Sequence, residues 1–252
     1  NVACSGARPM ALVNCLNFGN PEHPEVMWQF SEVVDGMSEA CDALGIPVIG
    51  GNVSFYNESR GTDIDPTPVV GVIGLLDGLG DRAPSTVALA DGQTVVVLGE
   101  TKPEFGGSEW ADLHGLRDGT PPSVDLDAAH ALNTLVAALV LDGLATTVHD
   151  CADGGLAVAL AEMAIAGGVG FEVSIGGAVG CFSESTSRVV LGVDPARVVD
   201  VLGRAAAAGV PAEEIGTASG RRLVARGAFD LALDEAEAVW RDAIPNALGV
   251  GV

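Results

Sequence analysis

Apolar residues recur at two different spacings along the first part of the chain, and the two spacings predict different elements. Residues 9 to 13 and 46 to 49 are short apolar runs, which are typical of buried strands. From Pro24 to Leu44 the apolar residues fall three and four positions apart, which predicts a helix that ends before Gly45. A strand, a helix and a second strand in this order favour a parallel pair with a right-handed crossover.

Polar, glycine-containing segments follow both predicted strands. They are Asn14–Pro21 after the first strand and Gly50–Ser54 after the second. Because parallel strands end at the same edge of a sheet, we expect these two segments, interpreted as loops, to lie side by side. Pro68–Leu76 predicts a further strand, and Asp77–Pro84 has the composition of a turn or linker.

The rest of the chain alternates between strand and helix patterns. We place a domain boundary near Asp91–Gly92, which gives domains at 1–90 and 91–252. Strands and helices together predict a layered α+β fold class. The predicted strands are 94–98, 146–149, 171–175, 188–193, 223–225 and 229–231, and the predicted helices are 125–141, 155–166, 195–208 and 234–244.

Composition narrows the classes of function. The 252 residues are 48% hydrophobic, enough for a substantial core, and no apolar run approaches the roughly 18 residues of a spanning helix. A formal charge of −22 with a single lysine, Lys102, disfavours nucleic acid and membranes as partners. Five cysteines without a Cys-x-x-Cys pair indicate reduced thiols, and no secretory signal is present, so we predict a cytoplasmic protein.

The strongest candidate for chemistry is the pair of polar segments at one edge of the sheet. Adjacent glycines after a strand let the main chain approach a ligand, and exposed N–H groups there can hold phosphate. Asn52 offers an oxygen suited to Mg²⁺, and Ser54 can donate a hydrogen bond. A structural interpretation stays open from composition alone, in which Gly50 and Gly51 form a tight turn that Asn52 caps.

These segments resemble a known family. Asn14–Pro21, Pro47–Ser54 and Tyr56–Glu58 are similar to the second nucleotide-binding-type domain in the synthetase subunit of phosphoribosylformylglycinamidine synthase. Further segments resemble its final domain, namely Gly99–Trp110, His149–Leu156 and Phe182–Ser185. The resemblance implies a partial domain like the N-terminal domain of aminoimidazole ribonucleotide synthetase, followed by a complete C-terminal-type α/β layered domain.

The resemblance implies an ATP- and Mg²⁺-dependent ligase of purine biosynthesis. That enzyme converts formylglycinamide ribonucleotide, ATP and glutamine-derived ammonia into formylglycinamidine ribonucleotide, ADP and phosphate. By position in the motifs, Asn14 and Gly51 would contact ATP, Asn52 would bind Mg²⁺, and Ser54 would contact the substrate. The family usually has aspartate where this chain has Asn14, so a negative charge is lost there.

The resemblance also implies partners. The family's catalytic histidines lie in an N-terminal half that this sequence lacks, so no catalytic residue is assigned here, and we expect the chain alone to be inactive. The expected partners are that missing half, the glutaminase subunit and the small accessory subunit of the synthase complex.

Other interpretations stay open. One is another ATP-dependent member of the superfamily, of the aminoimidazole ribonucleotide synthetase or selenophosphate synthetase type, and a second is a noncatalytic scaffold half.

His149 and Asp150 could suggest a catalytic dyad, but neighbouring strand residues point to opposite faces, which favours a structural role. His23, before the predicted helix at Pro24, is interpreted as a surface or packing residue.

Overall fold

The structure is a computed structural model that describes residues 1–250, and the chain divides into two compact units. The first unit comprises Val2 and Ala7–Asp77. The second unit comprises Asn1, Ala3–Gly6 and the residues from Gly78 onward.

The first unit contains a three-stranded sheet in the order β2-β1-β5 and one long helix. Strands β1 and β2 are parallel, and β5 is antiparallel to β1. The predicted parallel pair and the predicted crossover helix are therefore confirmed. The elements are β1 (Arg8–Asn17), α1 (Pro24–Leu44), β2 (Val48–Ser54), β3 (Glu58–Ser59), β4 (Thr62–Asp63) and β5 (Thr67–Leu75).

A small aromatic core joins helix α1 to the sheet. Phe18 is fully buried, and its ring meets Phe30 of the helix edge-on with 5.4 Å between centroids. Phe55, which follows β2, packs on the same two rings. The helix ends as predicted at Gly45, whose φ of 65° is the left-handed conformation that glycine adopts at helix ends.

The interpretation of the two polar segments as loops is wrong over part of their length. Asn14 to Asn17 belong to β1, and Gly50 to Ser54 belong to β2. Asparagine and glycine favour turns in isolation, but here ladder pairing between adjacent strands overrides that preference. The two segments still lie side by side, as strand ends rather than as loops.

The second unit contains a seven-stranded sheet in the order β12-β11-β8-β10-β6-β9-β7. Neighbouring strands are antiparallel except for the parallel pair β8 and β11. The elements are β6 (Thr94–Leu98), α2 (Glu109–Leu113), α3 (Leu126–Leu141), β7 (Thr147–Asp150), α4 (Gly155–Gly167), β8 (Phe171–Val173), α5 (Gly177–Phe182), β9 (Val189–Val193), α6 (Val198–Ala207), β10 (Ala212–Ala218), β11 (Arg222–Ala225), β12 (Phe229–Ala232) and α7 (Leu233–Ala247).

Helices cover both faces of this sheet. Val95 and Val97 of β6 pack in one core cluster with Leu160 of α4, whereas Val96 packs in a second cluster with Leu139 of α3. Every residue of β6 is buried. A strand buried on both faces has a nearly continuous apolar sequence, and in β6 the run Val95–Leu98 is apolar. The predicted layered α/β organisation is therefore confirmed.

The sequence did not predict β10, because glutamates at positions 213 and 214 interrupt its apolar pattern. The short helices α2 and α5 were also missed. Within residues 1–250, no helix combines the length and the apolar character needed to cross a membrane.

Candidate functional site

The four predicted site residues lie at adjacent positions on the parallel strands β1 and β2. We call Asn14, Gly51, Asn52 and Ser54 the strand-end site. The ladder pairs Asn14 with Gly51, Cys15 with Asn52, and Asn17 with Ser54. Because β2 is the edge strand of its sheet, the open side of the site is not covered by another strand of this unit.

Gly51 is packed directly against Asn14. A methyl group on Gly51 would lie 2.2 Å from Asn14 Oδ1 and 2.6 Å from the Asn14 main-chain oxygen, which is too close for any side chain. The Asn14 amide also donates to Met37 Sδ of helix α1 at 3.7 Å. The absence of a side chain at Gly51 therefore leaves room for the Asn14 side chain on the helix-covered face.

The strand-end site has two faces. Since side chains alternate along a strand, the ladder places Asn14 and Gly51 on one face and Asn52 and Ser54 on the other. Gly51 and Asn52 are exposed, and Asn14 and Ser54 are half-buried. The two predicted ATP contacts thus share one face, and the predicted metal and substrate contacts share the opposite face.

Asn57 holds the end of strand β2 in place. Its Nδ2 donates to the main-chain oxygens of Phe18 at 2.9 Å and Ser54 at 3.0 Å, and it lies 3.1 Å from Ser54 Oγ. The Ser54 hydroxyl in turn lies 3.2 Å from Asn57 Oδ1. Asn57 has no role predicted from the sequence; its position three residues after Ser54, at a strand end, is the signal that points to it.

The segment between β1 and α1 is joined to Asp63 of β4 by an ion pair and a hydrogen bond. His23 Nδ1 lies 2.6 Å from Asp63 Oδ2, and the Asn20 N–H donates to Asp63 Oδ1 at 2.7 Å. The hydrogen bond with Asp63 raises the pKa of His23 above its ordinary value. The pKa of Asp63 is lowered, chiefly by the hydrogen bond from the Asn20 N–H and next by the hydrogen bond with His23. His23 is exposed, as predicted, but it makes a specific contact.

The strand-end site offers a partial ligand set for a hard cation. Asn52 presents an exposed carboxamide oxygen, which suits Mg²⁺. In the described part of the chain, residues 1–250, no three His, Cys, Asp or Glu side chains converge to form a metal site. Asn52 thus offers one oxygen of the type that Mg²⁺ prefers.

His149 and Asp150 in the second unit contact each other. The expectation that neighbouring strand side chains point apart is wrong here, because Asp150 is the last residue of β7, and His149 Nδ1 lies 3.5 Å from Asp150 Oδ1. His149 Nε2 lies 3.3 Å from Glu162 Oε2 on α4. Hydrogen bonding to Asp150 raises the pKa of His149. These contacts link β7 to α4, which fits a structural role.

Two family models match the chain. The N-terminal domain of AIR synthase related proteins matches residues 1–76, and their C-terminal domain matches residues 90–227. A phosphoribosylformylglycinamidine synthase subunit PurL from Moorella thermoacetica is 50% identical over 254 residues, covering 97% of this chain but 34% of the relative. The chain thus spans about a third of the length of the curated relatives it matches.

Two solved structures share the fold. T. maritima PurL complexed with ATP superposes with a TM-score of 0.69 at 19% identity, covering 94% of this chain and 39% of that one. T. maritima PurL complexed with FGAR gives a TM-score of 0.71 at 18% identity over 94% and 40% of the two chains. Since the C-terminal family model alone covers more than half of the residues, the chain belongs to the family of AIR synthase related proteins.

Proposed function

We propose that this chain is part of phosphoribosylformylglycinamidine synthase, the ATP-dependent ligase that makes formylglycinamidine ribonucleotide in purine biosynthesis. Similarity to a relative of that name, at 50% identity, supports the proposal. The structural observation that carries it is the register of β1 and β2, which puts Asn14 beside Gly51 and Cys15 beside Asn52. Residues that are far apart in sequence thereby meet on two adjacent strands.

Each residue of the strand-end site has a proposed role. Asn14 and the main chain at Gly51 contact ATP, and Ser54 contacts the ribonucleotide. Asn52 would hold Mg²⁺, which would supply positive charge to offset the negative charge that develops during phosphoryl transfer. Because β2 is an edge strand, a ligand that bends around it reaches both faces of the site. Asn14 supplies an amide rather than a carboxylate, so it neither repels the phosphates nor adds charge to the metal site.

The proposed reaction has two steps. The amide oxygen of formylglycinamide ribonucleotide attacks the γ-phosphorus of ATP, and ADP leaves. Ammonia then adds to the activated carbon, and phosphate leaves with the former amide oxygen. This chain binds and orients the reactants at the strand-end site, and no catalytic residue is assigned to it.

The proposed partners follow from the same assignment. An N-terminal half of the subunit would complete the active site, the glutaminase subunit would supply ammonia, and the small accessory subunit would be a further member of the complex. Apolar side chains that stay exposed on the three-stranded sheet support a protein partner: Ile49 at 63%, Val69 at 55% and Ile73 at 58%. We place the complex in the cytoplasm, in keeping with five unpaired cysteines.

Reconstitution tests the proposed function. The chain is co-expressed with the part of the Moorella thermoacetica relative that precedes the matched region, and ATP- and ammonia-dependent formation of the amidine is measured. We expect activity, with kcat/KM for Mg-ATP about tenfold lower in Asn52→Ala. The control Asn246→Ala changes an exposed asparagine of helix α7 and should leave kcat/KM unchanged. A soluble, associated pair without activity would contradict the proposal and favour a noncatalytic scaffold.

A further inference from the structure

Tyr56 has an unusual backbone conformation two residues after Ser54. It is the sole tyrosine of the chain, its side chain is 61% exposed, and its φ is 58°. A bulky residue seldom adopts this left-handed conformation, because its Cβ approaches the following carbonyl oxygen. Tyr56 lies outside the hairpin turn between β3 and β4, so that turn does not account for its positive φ. Arg60, with φ of 54°, precedes Gly61 in the two-residue turn between β3 and β4, where positive φ is required.

The residues on either side of Tyr56 are held inward. Phe55 packs on Phe18 with 6.2 Å between ring centroids. Asn57 is fixed through its side-chain bonds to Ser54 and Phe18 and through its own N–H, which donates to the Phe18 oxygen at 3.2 Å. The Tyr56 ring therefore stays exposed between two anchored neighbours.

The main chain of Tyr56 is anchored too. Its N–H donates to the Gly19 oxygen at 2.8 Å, which ties the residue to the segment that follows β1. A strained residue persists only where its surroundings over-determine the conformation, and such residues cluster at ligand sites. The anchors hold Tyr56 two residues after Ser54 with its side chain 61% exposed, and the ring is not part of the core of the first unit.

We propose that Tyr56 is a ligand-binding residue of the strand-end site, and that its ring packs against the ribonucleotide substrate held at Ser54. This inference rests on the proposed function. A rigid aromatic ring offers a large apolar face to a sugar or a planar amide at low cost in side-chain entropy. Asn57 is the positioning residue, since it fixes both the Ser54 hydroxyl and the turn that presents the ring.

The test uses two substitutions in the reconstituted assembly. Tyr56→Asn removes the ring but tolerates left-handed φ, and Tyr56→Phe keeps the ring. We expect Tyr56→Asn to raise KM for formylglycinamide ribonucleotide about tenfold while KM for Mg-ATP changes less than about twofold. Tyr56→Phe should keep both KM values within about twofold of wild type.

The controls separate binding from folding. Tyr56→Asn should melt at the same temperature as wild type or a few degrees higher, because the strain is relieved. Arg60→Asn, a change at the other non-glycine residue of this unit with positive φ, should leave both KM values unchanged.

Each outcome is informative. An active assembly in which Tyr56→Asn keeps the wild-type KM for the ribonucleotide would overturn the inference and leave the proposed function intact. Equal increases in both KM values with a lower melting temperature would also overturn it, because they indicate a structural role. An inactive wild-type assembly would remove the proposed function and this inference with it.

Discussion

At the scale of single residues, Gly51 gives the clearest prediction. A side chain at Gly51 would overlap the Asn14 amide and main-chain oxygen, whereas a methyl group on Gly50 would have no atom within 4 Å. We expect Gly51→Ala to lower the free energy of unfolding by about 1–3 kcal/mol, as overpacking does. Gly50→Ala, the matched control, should stay within about 0.5 kcal/mol of wild type. Urea unfolding of both variants measures the difference, and equal values would refute the close packing of Gly51 against Asn14.

Arg188 is a buried cation whose partners are all neutral. Its guanidinium donates to the main-chain oxygens of Ser183 and Ser185 and to the Thr101 hydroxyl, and 2% of the residue is exposed. We expect Arg188→Met to lower the free energy of unfolding by about 2–4 kcal/mol, because the main-chain oxygens of the buried residues Ser183 and Ser185 lose this donor. The control is the exposed Arg197, which is paired with Asp200 at 3.9 Å. Arg197→Met should lower the free energy of unfolding by less than about 1 kcal/mol in the same urea titration.

His149 makes stability depend on pH. Its pKa is raised in the folded state, chiefly by the hydrogen bond with Asp150, so the stabilisation is fully present below the unfolded pKa of about 6.5. It is lost as pH rises through the higher folded pKa. The melting temperature of His149→Gln should therefore differ most from wild type near pH 5.5 and least near pH 8.5. A difference that grows with pH would contradict this assignment.

At the scale of elements, strong periodicity made the chain predictable. Helix α1 has the predicted bounds because its apolar positions repeat over five turns and because Pro24 and Gly45 mark its ends. The strand β6 was equally clear, since a run of β-branched residues has few alternatives. Strand β10 could not be predicted, because its two glutamates interrupt the apolar pattern. It is held in the sheet by hydrogen bonds to the neighbouring strands β6 and β8.

The strand-end site could be predicted in part. The segments that contain Asn14 and Gly51 were identified from their residues, and their adjacency followed from the parallel crossover. The division of the site into two faces depends on the register of the ladder, because a one-residue slip moves each side chain to the opposite face. The register could not be predicted from the sequence, so neither could the two faces. The contacts of His23 with Asp63, 40 residues away, depend on how the β3–β4 hairpin folds back.

At the scale of the whole molecule, the exposed sheet residues predict an association. Ile73 of β5 is apolar and 58% exposed, so Ile73→Ser should leave the chain folded but weaken its binding to the complementing segment at least about tenfold. Val199→Ser is the matched control, because Val199 is 80% exposed in the second unit. Analytical ultracentrifugation measures the association, and equal affinities for both variants would exclude this sheet as the interface.

The most direct test of the central claim is calorimetric titration of this chain with Mg-ATP. If the ends of β1 and β2 bind a metal-bound triphosphate, wild type gives a saturable heat, Asn52→Ala binds about tenfold more weakly, and Asn246→Ala binds like wild type. Absence of heat from both wild type and Asn52→Ala, or the same affinity in both, would contradict ATP binding at the ends of β1 and β2.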